Sequence, residues 1–273
     1  MEKLSNSKES RKNLIIFVHS LSVFLISFYL LYFISGLSVL YIAWDFDIPA
    51  TLFINSIHFN VPDNSPLWST DAIISILMAT PVSSFITGIL VIFIFLVISR
   101  KNQALLFFCL WIFLQAFNTT FGLLSENILS QTGLVRVARE MGIKSMMLVI
   151  TVGMSFFFMY KSGQFAGKLF FAHQAGIDKL SNMQKFTKAL VFFFFPWLAG
   201  SVVIMFVTNQ SLKSQDFILS GFMLILLIPA IFTKTPIHLT PIREYSSLRW
   251  SLPIVALLTT FSSLMLLRGG FSF

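Results

Sequence analysis

The sequence predicts an all-α polytopic membrane protein, with about seven transmembrane helices in one bundle and short amphipathic helices at the interfaces. Three observations carry this. Apolar runs long enough to cross a hydrocarbon layer of about 30 Å recur along the chain. Of the 273 residues, 56% are hydrophobic and 11% charged, whereas an ordinary soluble domain has about 25% charge with which to cover its core. The apolar runs do not alternate residue by residue, as the strands of a transmembrane barrel do. Residues 1–273 read as a single membrane-embedded domain, with no internal repeat and no low-complexity tail.

Residues 1–13 are polar and carry Lys3, Lys8, Arg11 and Lys12. The apolar stretch from Leu14 to about Tyr41 is longer than the roughly 7–15 residues of a signal-peptide core and lacks a small-x-small cleavage site. It is therefore expected to be an uncleaved first span (14–41) that tilts or projects beyond the bilayer. Residues 43–70 form the longest outer loop, with Asp45, Asp47 and Asp63 but no Lys or Arg, and with Trp44 and Trp68 at the points of exit and return. Within it Ile57, Phe59 and Val61 alternate with Ser56, His58 and Asn60, the pattern of a short strand.

The second span covers 71–99, capped by Ser69 or Thr70. Pro81 frees the carbonyl of Leu77 and favours a kink, while Ser84 and Gly88 are small enough to admit a neighbouring helix. Arg100 and Lys101 end the span, and the short turn after them makes spans two and three an antiparallel hairpin. Span three (104–126) leads into a basic amphipathic segment at 133–142, and span four covers 145–160. The basic connector 161–188 predicts a second interfacial helix over about 168–186, with Leu169, Gly176, Ile177, Leu180 and Met183 opposite Gln174, Asp178, Ser181 and Lys185. Spans five (189–208) and six (216–233) contain Pro196 and Pro229, which join Pro81 as expected helix kinks. A connector with Pro236 and Pro241 leads to span seven (252–267), near the start of which lies Pro253.

With the N-terminus inside and seven crossings, the inner segments hold 14 of the 19 Lys and Arg residues, and the outer segments hold seven of the 11 acidic ones. That distribution follows the positive-inside rule. The segment from Gly133 to Lys144 is discordant, because it places Arg136, Arg139 and Lys144 outside. The net charge of +8 thus reflects orientation in a bilayer, and no nucleic-acid partner is expected. The loop lengths and residue usage point to a bacterial inner membrane, with the N-terminus cytoplasmic and the C-terminus on the outer side.

Span three carries the candidate site. Gln115, Asn118 or Thr119, Gly122, and Ser125 or Glu126 recur at three or four residues, so they share a helical face. Polar groups do not tolerate hydrocarbon without partners. The stripe of Gln115, Asn118, Thr119, Ser125 and Glu126 is therefore expected to bond other helices or to line a cavity open to the outside. Over 133–142, Leu134, Val137, Ala138 and Met141 oppose Arg136, Arg139 and Glu140. This predicts an interfacial helix whose arginines contact headgroups or another anion.

The absences are equally informative. His19, His58, His173 and His238 have no ligand spacing and no carboxylate at i+3 or i+4, so no metal is expected. The single Cys109 excludes an internal disulfide. No HExxH, Walker or GxSxG motif occurs, and neither catalytic residues nor a cofactor can be assigned. The first functional expectation is a non-enzymatic membrane subunit or scaffold of a larger envelope complex, with lipid and other membrane proteins as its partners. The alternative is a small-solute or lipid transporter built on an outward-facing polar cavity around span three; a membrane enzyme of unfamiliar motif is the third reading.

Overall fold

The computed structural model describes residues 2–54, 56–98, 102–173, 181–208, 214–233 and 249–272. Helix α1 (Glu2–Asp45) is followed by an antiparallel hairpin of β1 (Ala50–Leu52) and β2 (Ile57–Phe59). Then come α2 (Thr70–Val97), α3 (Gln103–Phe117), a π-helical turn π1 (Asn118–Gly122), α4 (Leu123–Leu129) and the short α5 (Leu134–Glu140). Helix α6 (Ser145–Ala172) precedes α7 (Asn182–Ala189), a second π-helical turn π2 (Leu190–Phe194) and α8 (Phe195–Thr208), which run on without a break. Helices α9 (Ser214–Ile231) and α10 (Ser251–Arg268) complete the fold. It is a helical membrane bundle with almost no sheet.

Among the described residues six stretches are long and apolar enough to cross a membrane: Ser10–Asp45, Thr70–Val97, Gln103–Leu129, Ser145–Ala172, Asn182–Val207 and Ser251–Arg268. The apolar part of α9, Ile218–Ile231, is shorter. Helix α9 as a whole has 18 residues and packs along α6. Gly163 of α6 lies against Leu226 and Gly167 against Ala230, so α6 and α9 run parallel. Helices α1 and α3 are parallel too, since Ser20 meets Trp111 and Phe24 meets Gln115 one turn on. Between α2 and α3 the order reverses, with Thr120 beside Pro81 and Ala116 beside Gly88. The chain thus reverses direction from α1 to α2 and again from α2 to α3. Its first helix begins at the opposite end from Phe271, which forms a two-bond bridge to Leu52 of β1 (N···O 2.7 and 2.8 Å).

Helices α1 and α3–α4 are the central pair. Of their most apolar stretches 61% and 67% are buried, against 22–28% for the other long spans. The aromatic-rich core joins Trp111 and Phe107 of α3 to Phe24 of α1, Phe170 and Phe171 of α6, and Phe192 and Phe193 of π2. Phe170 stacks on Phe192 with ring centroids 4.4 Å apart.

Pro196 explains one join in this core. Having no N–H, it leaves the carbonyl of Phe192 without its intrahelical donor. Ser20 Oγ donates to that carbonyl at 2.7 Å and accepts from Trp111 Nε1 at 2.8 Å. A three-helix relay thus fills the gap in dry surroundings. Pro81 and Pro229 lie inside α2 and α9, both buried, and Thr233 Oγ1 donates to the Pro229 carbonyl at 2.7 Å.

The structure departs from the sequence reading between spans four and five. Helix α6 continues to Ala172 instead of ending near Tyr160. Lys161 ends the apolar run, but Ser162, Gly163, Ala166 and Gly167 are all buried, and this small-residue face holds α6 against α9 beyond it. The interfacial helix expected over 168–186 is accordingly absent from the described part of that range. Residues up to Ala172 belong to α6, those from Asn182 open the fifth pass behind a Ser181–Gln184 capping box, and residues 174–180 lie outside the described residues. The strand expected near Ile57 is present as β2, paired with β1.

Candidate functional site

Hydropathy makes residues 103–129 a span, and their central position decides where its polar side chains go. Gln115 Nε2 donates to the Phe24 carbonyl of α1 at 3.0 Å. Asn118 Nδ2 donates to the Leu219 carbonyl of α9 at 3.2 Å. Thr120 Oγ1 donates to the Pro81 carbonyl of α2 at 3.1 Å, as well as to Ala116 within its own helix. The expected single face is thus divided among three neighbouring helices. Thr119 is only half-buried and its side chain has no hydrogen bond among the described residues; Thr120, absent from the expected stripe, takes the interhelical role. The π turn at Asn118–Gly122 accounts for this, because an inserted residue shifts every later side chain around the helix. The acceptor atoms Gln115 Oε1 and Asn118 Oδ1, and the hydroxyl of Ser125, are buried without a hydrogen-bond partner among the described residues.

Glu126 ends the stripe as part of a compact polar turn. Its carboxylate accepts from Asn127 Nδ2 at 2.9 Å and from Ser130 Oγ at 2.6 Å, although only 4% of the residue is exposed. Asn127 is the organising side chain. Its amide also donates to the Leu123 carbonyl at 2.9 Å, while its Oδ1 accepts from the backbone of Leu134 at 3.3 Å and from Thr132 Oγ1 at 3.4 Å. Gly133, between them, has φ of +27°, and an added Cβ would stand 2.2 Å from Asn127 Oδ1. Asn127 and Gly133 together therefore turn the chain back over α4. Neither was singled out from the sequence; the signal available was an Asn six residues ahead of a Gly.

Asn127→Ala is expected to lower stability by about 2 kcal/mol, the scale for stranding a buried donor and a buried carboxylate. Amide hydrogen exchange should localise the effect, with protection lost first at residues 134–141.

Helix α5 is short, and its apolar side packs on protein. Leu134, Val137 and Ala138 are buried, Met141 is 57% exposed, and the helix contacts α2 and α4. Glu140 Oε2 accepts from Thr70 Oγ1 at the start of α2, at 3.4 Å. The Arg136 guanidinium lies 5.8 Å from the centroid of Trp68, whose ring meets Phe59 of β2 edge-on at 5.3 Å. Arg136 and Arg139 are both exposed. Hairpin, α5 and the Phe271 bridge together cover one end of the bundle.

The remaining polar residues are scattered. His19 Nε2 accepts from the Arg249 backbone at 2.9 Å, His173 Nδ1 bonds the Leu169 carbonyl at 2.9 Å, and His58 meets the ring of Phe53. His238 lies outside the described residues. Among the described residues no group of three His, Cys, Asp or Glu side chains could hold a metal. An open, mainly apolar groove of about 630 Å³ lies between α1 and α8, from Asn13 to Val202, toward the end of the bundle away from α5. Compared with protein-family models, curated proteins and solved structures, the chain finds no match.

Proposed function

We propose that this chain is a non-enzymatic, multi-pass subunit or scaffold of a larger envelope complex. In this reading it sits in a bacterial inner membrane with its N-terminus cytoplasmic, and the end bearing the hairpin and α5 meets its protein partner outside. The observation that supports it is the use made of the stripe: the donors of Gln115, Asn118 and Thr120 are spent on α1, α9 and α2. Side chains that fasten three helices serve a fixed body better than a moving one.

A transporter is the second reading. It is favoured by the unpartnered acceptors of Gln115, Asn118 and Ser125 beside a π turn, since such turns recur at functional sites. Replacing Asn118 and Glu126 with leucine separates the two. The subunit reading expects changed assembly or thermal stability only, detected by co-purification from native membrane and by melting in detergent. Abolished solute or lipid transfer by a folded, normally assembled variant would favour the transporter instead. The orientation has its own check: a topology reporter placed after Phe273 should be active on the outer side.

A further inference from the structure

We propose that the exposed edge of α5, made of Arg136 and Arg139 together with Lys144 just beyond it, is a binding site for anionic phospholipid headgroups in the leaflet at that end of the bundle. The inference is independent of the subunit reading.

Three facts converge on it. First, α5 is held by protein on its apolar side, through Leu134, Val137 and Ala138, and by the Asn127 turn. Its cations are therefore presented outward by a fixed support. Second, they lack acidic partners among the described residues. The only carboxylate of α5, Glu140, is turned to Thr70, and Arg136 faces the ring of Trp68. Arg139 and Lys144 are exposed and make no ion pair among the described residues, Asp71 at the start of α2 included. Lys144 also stands at the N-terminus of α6, where no side chain caps the helix and where the helix dipole disfavours a cation. It does not serve that helix.

Third, the patch lies level with the edge of the apolar belt. Met146, Met147, Val149 and Ile150, in the first turns of α6, are 48–75% exposed, as lipid-facing side chains are. Lys144 immediately precedes them as the N-cap of α6, and Arg136 and Arg139 lie on the short helix just before it, the placement expected of cations that reach headgroups. Arginine binds phosphate with paired N–H donors and lysine as a point charge. An anionic headgroup also accounts for cations at the end that the charge distribution otherwise makes acidic.

The test uses the full-length protein in phosphatidylcholine nanodiscs containing a minor fraction of phosphatidylglycerol, with retained lipid read by native mass spectrometry after release. Wild type should retain phosphatidylglycerol preferentially. The combined variant R136Q/R139Q/K144Q should lose that preference, by about fivefold in affinity per cation removed. The control R11Q/K12Q, at the other end of α1, should keep it. Where the triple variant does not fold, Arg139→Gln alone carries the test, with the same fivefold loss expected, since its side chain is exposed and makes no hydrogen bond or ion pair among the described residues. Retention equal to wild type in the folded variant would overturn the proposal. So would an equal loss in the control, or displacement of the lipid by millimolar inorganic phosphate, which would make this a site for soluble anions.

Discussion

Gly167→Leu, alone or with Gly163→Leu, should abolish the folded bundle: the protein is expected to leave size-exclusion chromatography in detergent as aggregate, with no cooperative melt. A Cβ at Gly167 would stand 2.3 Å from the Ala230 carbonyl oxygen, and at Gly163 2.0 Å from that of Leu226. These obstacles are backbone, so no rotamer relieves them. Helix α9 has to move away from α6 by more than an ångström over two turns. Overpacking of an ordinary core costs about 1–3 kcal/mol, and a contact between helix backbones lies beyond that range. The alanine variants test the mechanism, because even a single Cβ meets the same oxygens. Gly153, where an added Cβ would meet nothing within 4 Å, should accept alanine on the same helix without loss. A stable, monodisperse Gly167→Leu protein would refute this packing.

Ser20→Ala is expected to have the second largest effect. An interhelical hydrogen bond in a membrane is commonly worth only about 0.6 kcal/mol, because the separated helices find other partners. Here one hydroxyl serves two groups. Its loss strands the Trp111 N–H and the Phe192 carbonyl that Pro196 has deprived of a backbone donor. At about 1–3 kcal/mol for each buried group left unpaired, the expected loss is about 2–4 kcal/mol, read as a lowered melting temperature in detergent. Pro196→Ala supplies the specific control: it restores an N–H near Phe192, so Ser20→Ala should cost less in that background. Equal costs in the two backgrounds would show that the proline-freed carbonyl is not what Ser20 serves.

These two sites mark what the sequence could and could not disclose. Hydropathy alone placed the long spans, because burying twenty apolar residues outweighs any local preference. Ser69 was readable as the cap of α2 and does accept from the Ala72 backbone at 3.2 Å. Gly88 was readable as a point of close approach, and a Cβ there would lie 3.0 Å from Ala116. The end of α6 was not readable. Lys161 stops the apolar run, whereas the face of Gly163 and Gly167 that continues the helix has meaning only once α9 is known to lie beside it. Thr120 was hidden for a related reason: a period of 3.6 residues assigns Thr119 to the stripe, and only the π turn rotates its successor into position. Pro81, Pro196 and Pro229 were legible as interruptions of the backbone ladder. That Ser20 would answer Pro196 depended on a partner far away in sequence.

The bridge between Leu52 and Phe271 bears on how the molecule comes into being. β1 is made about 220 residues ahead of Phe271, and the edge it does not share with β2 has no pairing partner until Phe271 reaches it. Between the synthesis of β1 and that of Phe271 the nascent chain thus displays a bare strand edge, a template for mispairing. Phe271 is the residue that retires it, so synthesis interrupted before that point should yield products recognisable to a protease by the open edge.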